Sequence, residues 1–185
     1  MRLDVKALTK KSLSDLVTGE SFWSELATLA CGAVTVGELD VTNVSDMVAQ
    51  LEGLCRKERG VISRLSVIDH GRLEGNADGS NAEYVIRIGE STVQTGTMYL
   101  HYRFFRQIGA LLADRGFVHF WHCWAGQNVE LLKMIAEAVG KPVYAGTVRH
   151  NPVFNFNWGG YVCVAPDGTV TRDTARPIPW IESEP

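Results

Sequence analysis

One stretch constrains this chain more than any other: Phe117-Val118-His119-Phe120-Trp121-His122-Cys123-Trp124-Ala125-Gly126. An apolar run this short, rich in aromatic and β-branched residues, predicts a buried strand. Cys123 falls where that strand must stop. Asn128 is placed to cap a following helix, whose apolar positions Leu131, Leu132, Ile135 and Val139 recur at helical spacing. Gly140 stands where a left-handed stop residue belongs. A thiol between the C-terminal end of a strand and the N-terminal end of a helix meets free N–H groups and partial positive charge, and both favour thiolate over thiol.

The rest of the chain alternates in the same way. Residues 1–30 read as a helical, partly amphipathic segment, with Leu13, Leu16, Phe22, Leu26 and Leu29 on one face and Ser21 or Ser24 as caps. Residues 32–41 read as a strand. A helix opening at Asn43 or Ser45 runs through Met47, Val48, Leu51, Leu54 and Cys55 to about Gly60, with Cys55 a small core residue. Residues 61–69 form a strand that His70-Gly71 ends, and a polar loop follows over 72–81. Residues 83–89 alternate as a strand, with 91–93 as a short partner. A helix is predicted over 98–115, with Leu100, Phe104, Ile108, Leu111 and Leu112 inward and Gly116 as its stop. Residues 142–148 are a strand. A hairpin over 153–171 turns at Ala165-Pro166-Asp167-Gly168, and the tail at 177–185 is irregular.

Strands alternating with helices predict a single α/β domain over residues 1–185, with a mostly parallel sheet, helices on both faces and a C-terminal β-hairpin. Right-handed crossovers bring the ends of parallel strands to one edge, where ligands of open α/β sheets bind. His70 and Cys123 both end predicted strands and belong at that edge. With 185 residues, the chain can bury a substantial core without staples. The net charge of −3 implies no general phosphate-binding surface, and no nucleic-acid partner is expected. No window is long and apolar enough to span a membrane. Met1-Arg2-Leu3-Asp4-Val5-Lys6 lacks the apolar core of a signal peptide, so the cytoplasm is the expected compartment, delivery by another route apart. Cys31, Cys55, Cys123 and Cys163 are scattered without paired spacing, which argues against a disulfide framework or a zinc knuckle.

The chemistry centres on His70-Gly71 and Cys123. A cysteine nucleophile needs an imidazole to manage protons and N–H donors for the oxyanion of acyl transfer. A glycine directly after the histidine leaves its backbone N–H open to a carbonyl. An apolar strand ending in His-Gly, then a second ending in Cys, resembles the signature of caspase-fold cysteine peptidases. This group includes caspases, metacaspases, gingipains, clostripain, legumain and separase. The likeness is closer to bacterial caspase-like domains, whose second block resembles an apolar strand, Cys, two residues, Gly, a helix and "Gly-x-Pro-Val-Tyr-Ala-Gly". Here that block is Cys123-Trp124-Ala125-Gly126 followed by Gly140-Lys141-Pro142-Val143-Tyr144-Ala145-Gly146, and the likeness covers roughly residues 61–148.

The resemblance implies a caspase-like three-layer sandwich, with Cys123 as nucleophile, His70 as proton manager and the N–H groups of Gly71 and Cys123 as oxyanion donors. It implies a cysteine endopeptidase working through an acyl-enzyme on a peptide or protein substrate, without a cofactor. Two departures stand out: His122 precedes the cysteine where many relatives have a small residue, and Trp124 follows it. They keep open a second expectation, a catalytically inactive caspase-like binding or regulatory module. His122 and Trp124 are candidates for lining the substrate cleft. Arg149, in the loop after the last core strand, is a candidate for reading an acidic side chain. His150 is a rival partner for Cys123. Asp69 precedes His70 and is expected to play a structural part. No metal site is expected, because strand alternation puts His119 and His122 on opposite faces. The segment from Glu74 to Asn81 partly resembles a calcium loop, but the closing ligand would fall on Val85, which cannot coordinate. Trp158-Gly159-Gly160-Tyr161 reads as hairpin aromatics packed on the sheet.

Overall fold

The computed structural model describes residues 2–9, 35–75, 82–151, 156–157 and 159–175. In chain order the elements are β1 (Arg2–Thr9), β2 (Thr35–Val41), α1 (Val44–Glu58), β3 (Val61–Ile68), β4 (Gly71–Glu74), β5 (Glu83–Ile88) and β6 (Ser91–Val93). There follow α2 (Met98–Leu111), β7 (Leu112–Phe120), α3 (Val129–Val139), β8 (Val143–Gly146), β9 (His150–Asn151), β10 (Phe156–Asn157), β11 (Tyr161–Val164) and β12 (Val170–Thr174). The main sheet is seven-stranded, in the order β12-β11-β8-β7-β3-β1-β2. Its strands from β2 to β8 pair in parallel, while β11 and β12 extend the β8 edge antiparallel. A second, three-stranded antiparallel sheet is ordered β4-β5-β6. The molecule is thus α/β with a mixed, mostly parallel sheet, and β11 and β12 are the expected C-terminal hairpin.

From β2 to β3, β7 and β8 the chain steps steadily across the sheet. Right-handed crossovers in one direction put their helices on one face, and α1, α2 and α3 do pack side by side there. Among the described residues no helix covers the other face, where a three-layer sandwich would have one. The helix side is apolar: Leu65, Val67, Val118, Phe120, Val143 and Ala145 join Met47, Leu51, Phe105, Ile108 and Leu131 in one buried cluster. The opposite side of the same strands is polar and aromatic. His119 lies fully buried there, its Nδ1 accepting from Trp121 Nε1–H at 2.7 Å, and its ring meets the edge of Tyr161. His119 is therefore a buried core histidine held through Nδ1, and Tyr161 packs on the sheet as expected.

Several boundaries move. Residues 2–9 form a strand, not the start of a helix, and it sits in the middle of the parallel region with Leu3, Val5 and Ala7 fully buried. The alternation Leu3, Val5, Ala7 is a strand's period of two. The expected helical stretch from 10 to 30 and the tail at 177–185 lie outside the described residues. Helix α2 stops at Leu111, four residues short of the expected end, and Leu112 already pairs with Ile62 in the sheet. The register then jumps to Arg64 opposite Phe117, so Gly116 serves a bulge and is no helix stop. Leu100, expected inward, is 54% exposed; Phe105 takes the buried position instead. Residues 71–74, expected to open a loop, pair antiparallel with β5.

Candidate active site

Strands β3 and β7 are neighbours, and Val67 stands opposite Phe120. His70 and Cys123 each lie three residues beyond that pair, at the carboxyl edge of adjacent parallel strands. The last rung is the Trp121 N–H on the Val67 carbonyl at 2.9 Å. Beyond it the two chain segments touch. A Cβ on Gly71 would fall onto the Cys123 carbonyl oxygen and come within 2.6 Å of its nitrogen and 2.8 Å of its carbonyl carbon. The backbones that carry the two expected oxyanion donors are therefore in direct contact, and only glycine fits at position 71.

His122-Cys123-Trp124-Ala125 is a turn, closed by the Ala125 N–H on the His122 carbonyl at 3.4 Å. Its third residue, Trp124, has φ 57° and ψ 9°, a left-handed conformation that usually falls to Gly or Asn. The Trp124 N–H donates to the Val148 carbonyl at 3.0 Å. A 3-10 turn over Ala125–Gln127 follows, and Gln127 Nε2 donates to the Thr147 carbonyl at 2.6 Å. A Cβ on Gly126 would come within 2.8 Å of the Gly146 carbonyl oxygen and 3.0 Å of that of Ala145. The two glycines of the Cys-x-x-Gly and Ala-Gly motifs are thus in contact, which explains why position 126 is glycine. Asn128 caps α3 as predicted, its Oδ1 accepting the Leu131 N–H at 3.1 Å. The helix opens at Val129, directly after this cap, and the 3-10 turn lies between it and Cys123.

Strand β5 braces both arms, a role that its sequence does not announce. Asp69 spans the histidine arm: Oδ1 accepts the His70 N–H at 2.6 Å, and Oδ2 accepts the Gly89 N–H at 3.0 Å, just past β5. On the cysteine arm, His122 Nε2 meets the Arg87 carbonyl at 2.6 Å, and the Trp124 ring stacks on Tyr84 with centroids 5.9 Å apart. Asn128 Nδ2 donates to Glu83 Oε2 at 2.6 Å and to the Tyr84 carbonyl at 2.9 Å. The alternation of residues 83–88 predicts a strand but says nothing of its neighbours.

His70 is exposed and Cys123 half-buried with a free thiol. Trp124 is half-buried, and Arg149 is exposed directly after Val148, whose carbonyl is tied to the cysteine turn. His122 is the exception among the expected cleft residues. It is 1% exposed, its ring lies against Phe120, and burial pushes its imidazole below the ordinary histidine range. It does not line an open cleft. His150 lies on β9, with its side chain outside the described residues. Residues 76–81 of the calcium-like segment and Trp158 are also outside them, and Val85 is buried on β5. Among the described residues no three His, Cys, Asp or Glu side chains gather as a metal site would require, and no helix is long and apolar enough to cross a membrane. The arrangement presents a sulfur, an imidazole and two adjoining backbone segments at one sheet edge, the set that acyl transfer through a thiol needs. Compared with known proteins, the chain matches no family model, no curated protein and no solved structure.

Proposed function

We propose that this chain is a caspase-like cysteine peptidase that acts on an extended peptide at the carboxyl edge of the sheet, in the cytoplasm. His70 takes the Cys123 thiol proton as the sulfur attacks the scissile carbonyl, the Gly71 and Cys123 N–H groups receive the oxyanion, and His70 returns that proton to the leaving amine as the C–N bond breaks. Water then releases the acyl-enzyme. The observation that carries this is the contact of Gly71 with the Cys123 backbone, which joins two motifs separated by a helix and a small sheet. The exposed His70 and half-buried Cys123 leave both groups within reach of a substrate.

A second reading is an inactive caspase-like module that binds partners without turnover. It is favoured by one feature: Trp124, stacked on Tyr84, puts a large ring directly after the nucleophile. A peptide-like thiol electrophile separates the two. The peptidase labels at Cys123, and Cys123→Ala and His70→Ala both abolish or strongly slow labelling while circular dichroism stays unchanged. Labelling that is indifferent to His70→Ala defeats the peptidase and leaves the binding module.

A further inference from the structure

His122 is a buried titratable side chain next to Cys123 that the proposed chemistry does not use. Its Nε2 lies 2.6 Å from a carbonyl oxygen, which can only accept, so Nε2 carries the proton and Nδ1 is a bare lone pair. No donor reaches Nδ1 among the described residues, although the side chain is almost wholly buried. The titratable groups that act on the ring are Asp69 and His70, both at the end of β3. Strand β5 offers it the Arg87 carbonyl, and β7 offers the Phe120 ring. The residue that follows is Cys123. From the cysteine turn to β5, the hydrogen bond before Asn128 runs through His122.

We infer that His122 is a positioning residue: as a neutral imidazole bonded to the Arg87 carbonyl, it holds the Cys123 turn against Gly71, and a proton on Nδ1 loosens that hold. The inference rests on Cys123 being a reactive thiol beside His70, and it adds a switch in mildly acid conditions. The proton would create a buried cation beside a second imidazole, and among the described residues the carboxylate that acts on it is Asp69, already engaged. Burial is the largest influence on the ring and opposes that charge. The Arg87 and Asp69 oxygens favour the charge, and His70 opposes it. The imidazole therefore stays neutral at neutral pH, and the hold weakens as pH falls below its ordinary value of 6.5.

The test compares alkylation of Cys123 by iodoacetamide, read at that residue by mass spectrometry, in the wild type, His122→Gln and His122→Phe. Glutamine keeps an N–H near the Nε2 position and cannot titrate. Phenylalanine keeps the ring and loses the donor. At neutral pH the Gln variant should react close to the wild-type rate, and the Phe variant about tenfold differently, the worth of a buried hydrogen bond. The ratio of wild-type to Gln rates cancels the titration of the thiol itself, and it should change as pH drops below 6.5. A ratio that stays flat across that range overturns the inference, as does a folded Phe variant that matches the wild type throughout. Should the Phe variant not fold, the Gln ratio still decides. Alkylation needs no substrate, so a protein without peptidase activity returns the same answer, and failure of the dyad would show separately as indifference to His70→Ala.

Discussion

The two arms that meet at Gly71 are built to different standards. The cysteine arm is tied on three sides: Trp124 to the loop after β8, His122 and Asn128 to β5, and Gly126 against the β8 backbone. The histidine arm is short, its imidazole is exposed, and one carboxylate, Asp69, gathers its backbone onto the turn at Gly89. A nucleophile gains from being fixed where the carbonyl will sit. A proton carrier that serves a leaving group, and later water, can tolerate more freedom. The asymmetry therefore fits a division of labour in which sulfur is positioned and imidazole moves.

The harshest way to break this comparison is at the junction itself. Gly71→Ala drives a methyl group into the Cys123 backbone. Overpacking of this kind should cost about 3 kcal/mol of stability. It should also displace the cysteine turn, so electrophile labelling should fall together with the thermal midpoint. A variant of wild-type stability and reactivity would mean that the two arms do not touch in solution.

Loosening one arm alone should have a smaller and more selective effect. Asp69→Ala frees the His70 and Gly89 N–H groups at a half-buried site, a loss of about 2 kcal/mol. Hydrogen exchange should quicken at Gly89 and His70, while alkylation of Cys123 by a small reagent stays near wild type and peptide turnover falls. Equal losses in alkylation and turnover would show that the arms are not independent, and the proposed division of labour would go.

What the chain discloses by itself follows the same divide between local and distant contacts. The Asn128 cap, the Gly140 stop, β3 and the hairpin turn at 165–168 are set by neighbours a few residues away, and each stands where the pattern predicts. The His70-Gly71 and Cys123 motifs are legible because strand ends on adjacent parallel strands must share an edge. Other features are hidden for physical reasons. The short alternation of β1 is masked by the longer amphipathic run behind it. The bulge that follows Leu112 depends on the register with β3. The burial of His122 depends on a carbonyl 35 residues away. Along the strand alone, it is one more polar residue beside a cleft.

Trp124 gives the finest test of how rigidly the cysteine arm is held. Its left-handed backbone costs a side-chain-bearing residue roughly 1–2 kcal/mol, and the stack on Tyr84 returns about 1 kcal/mol. Trp124→Ala and Trp124→Gly both lose the stack, and both should be less stable than the wild type. They differ in the backbone alone. Glycine relieves the left-handed strain but gives up roughly 0.5–1 kcal/mol through its freer unfolded chain. The strain outweighs that loss, so the Gly variant should be the more stable by about 0.5–1 kcal/mol in denaturant unfolding, the reverse of the usual order. An Ala variant that equals or exceeds the Gly variant would mean that the turn relaxes out of its left-handed form once the ring is gone. In that case the stack on Tyr84, rather than the Val148 carbonyl and the packing of Gly126, is what holds the backbone beside Cys123.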